Sequence, residues 1–409
     1  MSRSQSLFTV FLVIFVDLIG FGIILPILPF FAKNYNASPL HIGLLYSIYS
    51  LCQLIFSPIW GALSDRVGRR PIMMLSTLGS SISYLMFAFS ESFWAIFVSR
   101  MFAGIMGGNI ATAQAYVTDI TSEKDRAKGM GMIGAAFGLG FSLGPALTVL
   151  LIHPKVLECF SLGNFQRYCI PGFFASALSF LSFILVFLKL PETVNFRMTD
   201  QHQTQKKRSV FSKAFWLPFF TDQNIYLRLL LIGIFLTSFG QANLYSSFPL
   251  FCQDELSLSA ENVGMEYLWM GIISIVIQGM MIHRLTRKFG EAALFLTGSI
   301  LMTLGMMLIP FSGSAFSLTL YLGVLSVGGS LMLPTLTSLI SKQARPQRAG
   351  EMMGTSQGLS SLGRVLGPSW GGLLFSLGHT VPFISTGIVL STSIIIGYTL
   401  QNHSLAKNT

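Results

Sequence analysis

Apolar residues run almost unbroken for about 20 positions at a time along this chain, and polar residues gather in the short gaps between. A bilayer core needs about 20 apolar residues per helix, whereas a soluble helix shows only a stripe. The pattern predicts twelve spans, at 7–32, 41–63, 72–90, 94–118, 129–152, 171–190, 224–250, 262–282, 292–311, 314–340, 350–376 and 381–400. The first is too long for a signal-peptide core, and no small-residue cleavage site precedes the polar Lys33–Asn36 stretch, so it is retained as a span.

Basic residues set the orientation, because cytoplasmic loops carry the excess of Lys and Arg. One set of loops holds Arg66, Arg69, Arg70, Lys124, Arg126, Lys128, Lys206, Lys207, Arg208, Lys213, Arg284, Arg287, Lys288, Lys342, Arg345 and Arg348. The opposite loops hold only Lys33, Lys155 and Arg167. The first set and both termini are therefore expected in the cytoplasm.

The polar stretch 191–222, with Asp200–Arg208 at its centre, reads as a cytoplasmic linker between an N-terminal bundle (1–190) and a C-terminal bundle (223–409). The halves echo each other. Asp65-Arg-Val-Gly68 answers to Arg287-Lys-Phe-Gly290 at an offset of 222, Gly140…Gly144-Pro145 to Gly363…Gly367-Pro368 at 223, and Pro29 to Pro249 at 220. The expected fold is an all-α membrane protein of two pseudo-symmetric six-helix bundles, the architecture of secondary transporters that rock about a midplane site.

Composition agrees. Of 409 residues, 52% are apolar and 10% charged, against roughly 25% charged in soluble domains, which excludes a soluble enzyme. The net charge of +10 is not gathered on one soluble face, so no nucleic-acid partner is expected. No phosphate-binding loop or HExxH zinc motif occurs; neither enzyme activity, a metal nor a cofactor is expected. Cys52, Cys159, Cys169 and Cys252 lack CxxC spacing; Cys159 and Cys169 share the outer loop 153–170 and either bridge or stay as thiols.

Candidate chemistry sits inside the spans. Asp17 lies about ten residues into the first, some ~15 Å deep at 1.5 Å per residue, and is the only acid in the core of the N-terminal half. Burial favours a neutral carboxyl and a nearby cation the charged one, so Asp17 is the candidate proton carrier; the alternative is a carboxyl bonded for packing. Arg100 in the fourth span needs a partner or water, or snorkels to the interface. Glycines at Gly138, Gly140 and Gly144, with Pro145, and at Gly367 with Pro368, allow close helix approach. Cavity candidates are Asn109, Gln114, Gln241, Tyr245, Phe248, Glu266, Trp269, Gln357 and Arg364, polar and aromatic positions suited to an amphipathic organic molecule, each of which also reads as ordinary packing.

The stretch Gly61-Ala-Leu-Ser-Asp65-Arg66-Val-Gly68-Arg69-Arg70-Pro71 resembles the signature loop of the major facilitator superfamily. The resemblance extends over all twelve segments. It implies that Gly61, Asp65, Arg66, Gly68, Arg69 and Asp119 form a cytoplasmic gate, and that Arg100 modulates proton transfer. Asp17–Pro29, Gly61–Pro71, Arg100–Gly108, Ala115–Ile120 and Lys288–Glu291 are similar to the tetracycline-resistance type of drug:proton antiporter. Two departures matter: Ser83 and Met302 stand where those exporters have intramembrane aspartates, which points to a substrate other than a cationic metal–tetracycline. Where the exporter motif has a glycine pair after Gly144-Pro145, this chain has Thr148-Val149, and the pair survives in the second copy as Gly371-Gly372. The resemblance implies a proton-coupled exporter of a small organic compound in a bacterial inner membrane, working as a monomer in the lipid bilayer. The alternative is a proton symporter importing a nutrient such as a sugar or organic acid.

Overall fold

The computed structural model describes residues 3–121, 132, 133, 136, 139, 140, 143–153, 155, 156, 168–193, 224–343 and 349–408. Gly138, Cys159, part of the fifth predicted span and the linker beyond Thr193 lie outside these residues.

The described chain is helical: α1 (Arg3–Lys33), α2 (Pro39–Val67), α3 (Arg69–Ala88), α4 (Phe93–Met106), α5 (Asn109–Ile120), α6 (Cys169–Lys189), α7 (Ile225–Leu256), α8 (Ala260–Ser274), α9 (Ile282–Phe289), α10 (Glu291–Leu308), α11 (Ala315–Gln343), α12 (Ala349–Phe375) and α13 (Val381–Asn408). Among the described residues, ten stretches are long and apolar enough to cross a membrane. The predicted span 350–376 is helical as α12, but seven of its residues are glycine. Of 129–152, the described residues 132, 133, 136, 139, 140 and 143–151 are helical.

Among the described residues, two predicted spans are interrupted within their length. The fourth breaks between α4 and α5 at Gly107-Gly108. Backbone carbonyls at such a break need donors inside a membrane, and neighbours supply them. Trp60 Nε1 donates to the Ile105 carbonyl at 2.6 Å, Gln53 Nε2 to that of Gly107 at 3.0 Å, and the Ser76 hydroxyl to that of Met106. The eighth passes from α8 through a π-helical turn, Ile275–Met281, into α9. Polar caps start several helices: Asn224 accepts from the backbone N–H of Tyr226 and Leu227, Ser92 from Ala95 and Ser259 from Asn262.

The described residues cluster into two compact units, one within Met1–Tyr35 and Ile48–Val210, the other within Asn36–Ser47 and Phe211–Thr409. In the first, α6 packs along α1 and α3; in the second, α7 packs along α12, and α10 along α11 and α13. The start of α2 belongs to the second unit. There the Ser47 hydroxyl donates to the Val365 carbonyl at 2.6 Å, and Gly43 abuts the Pro368 carbonyl of α12.

The same glycine contacts recur in both units. Gly140 and Gly144 lie against Leu18–Gly22 of α1, a Cβ on Gly144 falling 2.6 Å from the Gly22 Cα. Gly363 and Gly367 lie against Phe235–Asn243 of α7, a Cβ on Gly367 falling 2.5 Å from the Phe239 carbonyl oxygen. Beyond these glycines the copies diverge. Thr148 donates to the Ile23 carbonyl at 2.7 Å, whereas at the equivalent position Gly371 leaves room for Asn243 and Ser247 of α7. Asn243 Nδ2 in turn donates to the Thr386 hydroxyl of α13 at 2.8 Å. A hydroxyl reaching out in one copy is answered by polar groups reaching in.

Candidate functional site

In the first unit, Arg69 opens α3 with its side chain 9% exposed and gathers acids from two elements, α2 and α5. Its Nη1 lies 2.5 Å from Asp65 Oδ1 and 2.6 Å from the Ser64 hydroxyl, and its Nε 3.0 Å from Asp119 Oδ2. Gly68, at φ 112°, turns the chain from α2 into α3 in a conformation that glycine adopts without steric cost. The first turn of α3 has no cap of its own. Glu192, just past α6, supplies one: its Oε1 accepts from the Arg69 N–H at 2.9 Å and its Oε2 from that of Arg70 at 3.1 Å. Glu192 was not a sequence candidate. The only signal for it was an acid after Pro191 combined with a helix start lacking Ser, Thr, Asp or Asn. Arg66 is exposed, and Gly61 has only Ala111 Cβ near it, 3.8 Å from an added Cβ.

Deeper in the same unit, Arg100 is 2% exposed. Its guanidinium carbon stands 5.4 Å from the centroid of the Tyr49 ring and 5.8 Å from that of Phe87, an attraction strengthened by exclusion of water. Arg100 is thus interior rather than snorkelled. Tyr84, one turn before Phe87 on α3 and 3% exposed, lies within electrostatic reach of Asp17, Tyr49 and Arg100. Its ring packs on Gly20 of α1, where an added Cβ would sit 3.2 Å from the phenol oxygen. The two sequence candidates Asp17 and Arg100 therefore share a neighbour, Tyr84, that sequence reasoning missed. Gln114 is half-buried on α5. Asn109 begins α5, and its side chain lies outside the described set.

In the second unit, Tyr245 and Phe248 of α7 face Tyr267 of α8, with ring centroids 5.9 and 5.5 Å apart respectively. Gln241, one turn before Tyr245, is half-buried and its amide nitrogen approaches Gly329 of α11. Trp269 does not join this face. Two residues beyond Tyr267, it is turned away by about 200° of helix; it stands 41% exposed in an apolar groove of about 440 Å³ with Phe316, Leu320 and Gly323 of α11. On α12, Arg364 donates to the Ser360 and Ser361 hydroxyls at 2.8 and 2.9 Å, while Gln357 is exposed.

Ser83 and Met302 are both fully buried. Ser83 donates to the Ser80 carbonyl of its own helix at 2.7 Å, and Met302 lies against Gly328 and Gly240.

The model of the Major Facilitator Superfamily matches residues 10–368 and 230–408. The chain belongs to this superfamily. It is 30% identical to the class B tetracycline resistance protein of Escherichia coli, over 90% of this chain and 87% of that protein. It is 28% identical to multidrug resistance protein 1 of Bacillus subtilis, over 94% and 93% respectively. A crystal structure of the human organic anion transporter MFSD10 has a TM-score of 0.71 and 25% identity, covering 97% of this chain and all of that one. The protein is therefore an integral multi-pass membrane transporter with a small-molecule substrate, similar to tetracycline and multidrug efflux proteins.

Proposed function

We propose that this transporter exports a small amphipathic organic compound or drug in exchange for protons. Rocker-switch alternating access would run between two six-helix bundles, 1–190 and 223–409, of twelve spans in all. It works as a monomer in a bacterial inner membrane with both termini cytoplasmic, the proton being its coupling ion and no other cofactor taking part. Asp17 carries the proton and Arg100 modulates it. Asp65, Arg69 and Asp119 hold the cytoplasmic gate, and Gln241, Tyr245 and Arg364 contribute to the substrate cavity.

The observation that carries the reading is a buried cation, Arg100, and an intramembrane acid, Asp17, both in electrostatic reach of one phenol, Tyr84. Such groups are costly in hydrocarbon and mark proton or substrate paths. Relatives named for tetracycline and multidrug resistance support export. Burial of Ser83 and Met302, without charge, supports a substrate other than a metal–tetracycline cation. The human relative described as an organic anion transporter makes anions part of the test.

Proton flux in proteoliposomes, followed with a pH-sensitive dye against a panel of amphipathic cations and anions, decides it. Substrate-driven proton movement of antiport sign in the wild type, lost in Asp17→Asn while binding persists, is expected. Symport sign, or normal coupling in Asp17→Asn, overturns the assignment.

A further inference from the structure

Glu266 is 9% exposed on α8 and points its carboxyl at α11, where Thr319 Oγ1 lies 2.6 Å from Glu266 Oε1. The second oxygen, Oε2, is sealed from solvent and has no hydrogen-bond partner among the described residues. Among the described residues no cation pairs with it, and the titratable group within its electrostatic reach is the Cys252 thiol of α7. Trp269, on the same helix, spends its indole N–H on the Thr319 carbonyl at 3.2 Å.

Proton counting then decides the state of the carboxyl. Thr319 Oγ1 also lies 3.0 Å from the Ala315 carbonyl one turn back, the bond that hydroxyls commonly make within a helix. A hydroxyl has one proton to donate and two lone pairs that accept. If Thr319 donates to Ala315, the 2.6 Å contact must be made by a proton on Glu266. If Thr319 donates to Glu266 instead, an ionised carboxylate is left with one oxygen bare in apolar surroundings, which a buried charge does not tolerate without a partner. A neutral Glu266, donating from Oε1 to Thr319, satisfies every hydroxyl and leaves only an uncharged carbonyl oxygen without a bond.

We propose that Glu266 is a proton-binding site of the second unit, separate from Asp17, loaded in this conformation and held by Thr319, and that it exchanges its proton with water during the cycle. The exchange rests on the proton-coupled reading above; the loaded state does not.

Infrared difference spectroscopy of the full-length protein in lipid, titrated from acid to alkaline pH, tests both parts. The expected result is a protonated-carboxyl C=O band at neutral pH that bleaches on alkalinisation, is absent from Glu266→Gln, survives in Asp17→Asn and shifts in frequency in Thr319→Val. A Glu266→Gln spectrum like that of the wild type, or a Thr319→Val spectrum with an unmoved band, overturns the loaded site. A band present but insensitive to pH overturns the exchange and makes the proton structural. Failure of the coupling reading looks different, as wild-type proteoliposomes that move substrate without protons while the band remains.

Discussion

Lys342 donates to both carboxylate oxygens of Glu291, at 2.6 and 2.7 Å. These two residues stand 223 and 222 positions beyond Asp119 and Arg69, which form the corresponding pair in the first unit. The duplicated helices thus keep an ion pair at one place and reverse its polarity: the cation opens the earlier helix of the pair in the first unit, the acid in the second. The reversal suits the helix termini better in the second copy, because an acid in the first turn faces the positive end of the helix dipole. The first copy compensates by bringing Glu192 to the start of α3.

The two pairs should therefore differ in worth. Lys342 has a side chain 66% exposed, and such surface pairs contribute about 0–1 kcal/mol. Arg69 is enclosed and serves three side chains, where each bond to a charged group is worth about 1.5–3 kcal/mol. Thermal melts in detergent should show Arg69→Ala strongly destabilised and Lys342→Ala nearly unchanged. Equal losses would mean that burial of Arg69 contributes nothing.

Glycines of two different motifs give a second contrast. Gly144→Ala places a methyl 2.6 Å from the Gly22 Cα, so α1 must move away. Overpacking of this kind costs about 1–3 kcal/mol. Gly61→Ala meets nothing closer than 3.8 Å and should melt like the wild type. The same pair of variants scored by melting temperature checks both statements; a Gly61→Ala loss as large as that of Gly144→Ala would refute the contact argument.

The spans were legible because the bilayer demands long apolar runs, and the Gly68 turn because few residues other than glycine take its φ. The glycine repeat was legible as spacing, and the contacts of Gly144 and Gly367 follow it. What remained hidden depended on which neighbour a face meets. Residue type put Trp269 among the cavity candidates with Tyr245, yet two positions of helix rotation separate Trp269 from Tyr267, the residue that meets Tyr245. The break at Gly107-Gly108 was visible as two small residues, but not the donors Gln53 and Trp60 that stabilise it. Glu192 caps a helix from 123 residues away, a relationship no local pattern encodes.

That remote cap makes a prediction of its own. Glu192→Ala strips the acceptors from the Arg69 and Arg70 N–H groups, and loss of a capping side chain costs about 0.5–2 kcal/mol. Glu192→Gln keeps an acceptor oxygen and should recover part of that loss. Hydrogen exchange at the first turn of α3 is the direct readout, with faster exchange expected in Glu192→Ala. Unchanged exchange would show that other groups cap the helix.

Tyr84 offers the sharpest test of the membrane-embedded cluster. Its ring fills the space beside Gly20 while its hydroxyl is the group in reach of Asp17 and Arg100. Tyr84→Phe retains the ring and removes only the hydroxyl, so folding should survive. Removing the hydroxyl withdraws its electrostatic interaction with Asp17 and Arg100. Proton-driven efflux should fall in Tyr84→Phe, whereas substrate exchange without net proton movement should stay near wild type. Arg100→Lys should be the more damaging, because a lysine lacks the flat guanidinium that lies over Tyr49 and Phe87. If Tyr84→Phe slows exchange and driven efflux equally, the hydroxyl belongs to substrate handling and not to the proton path.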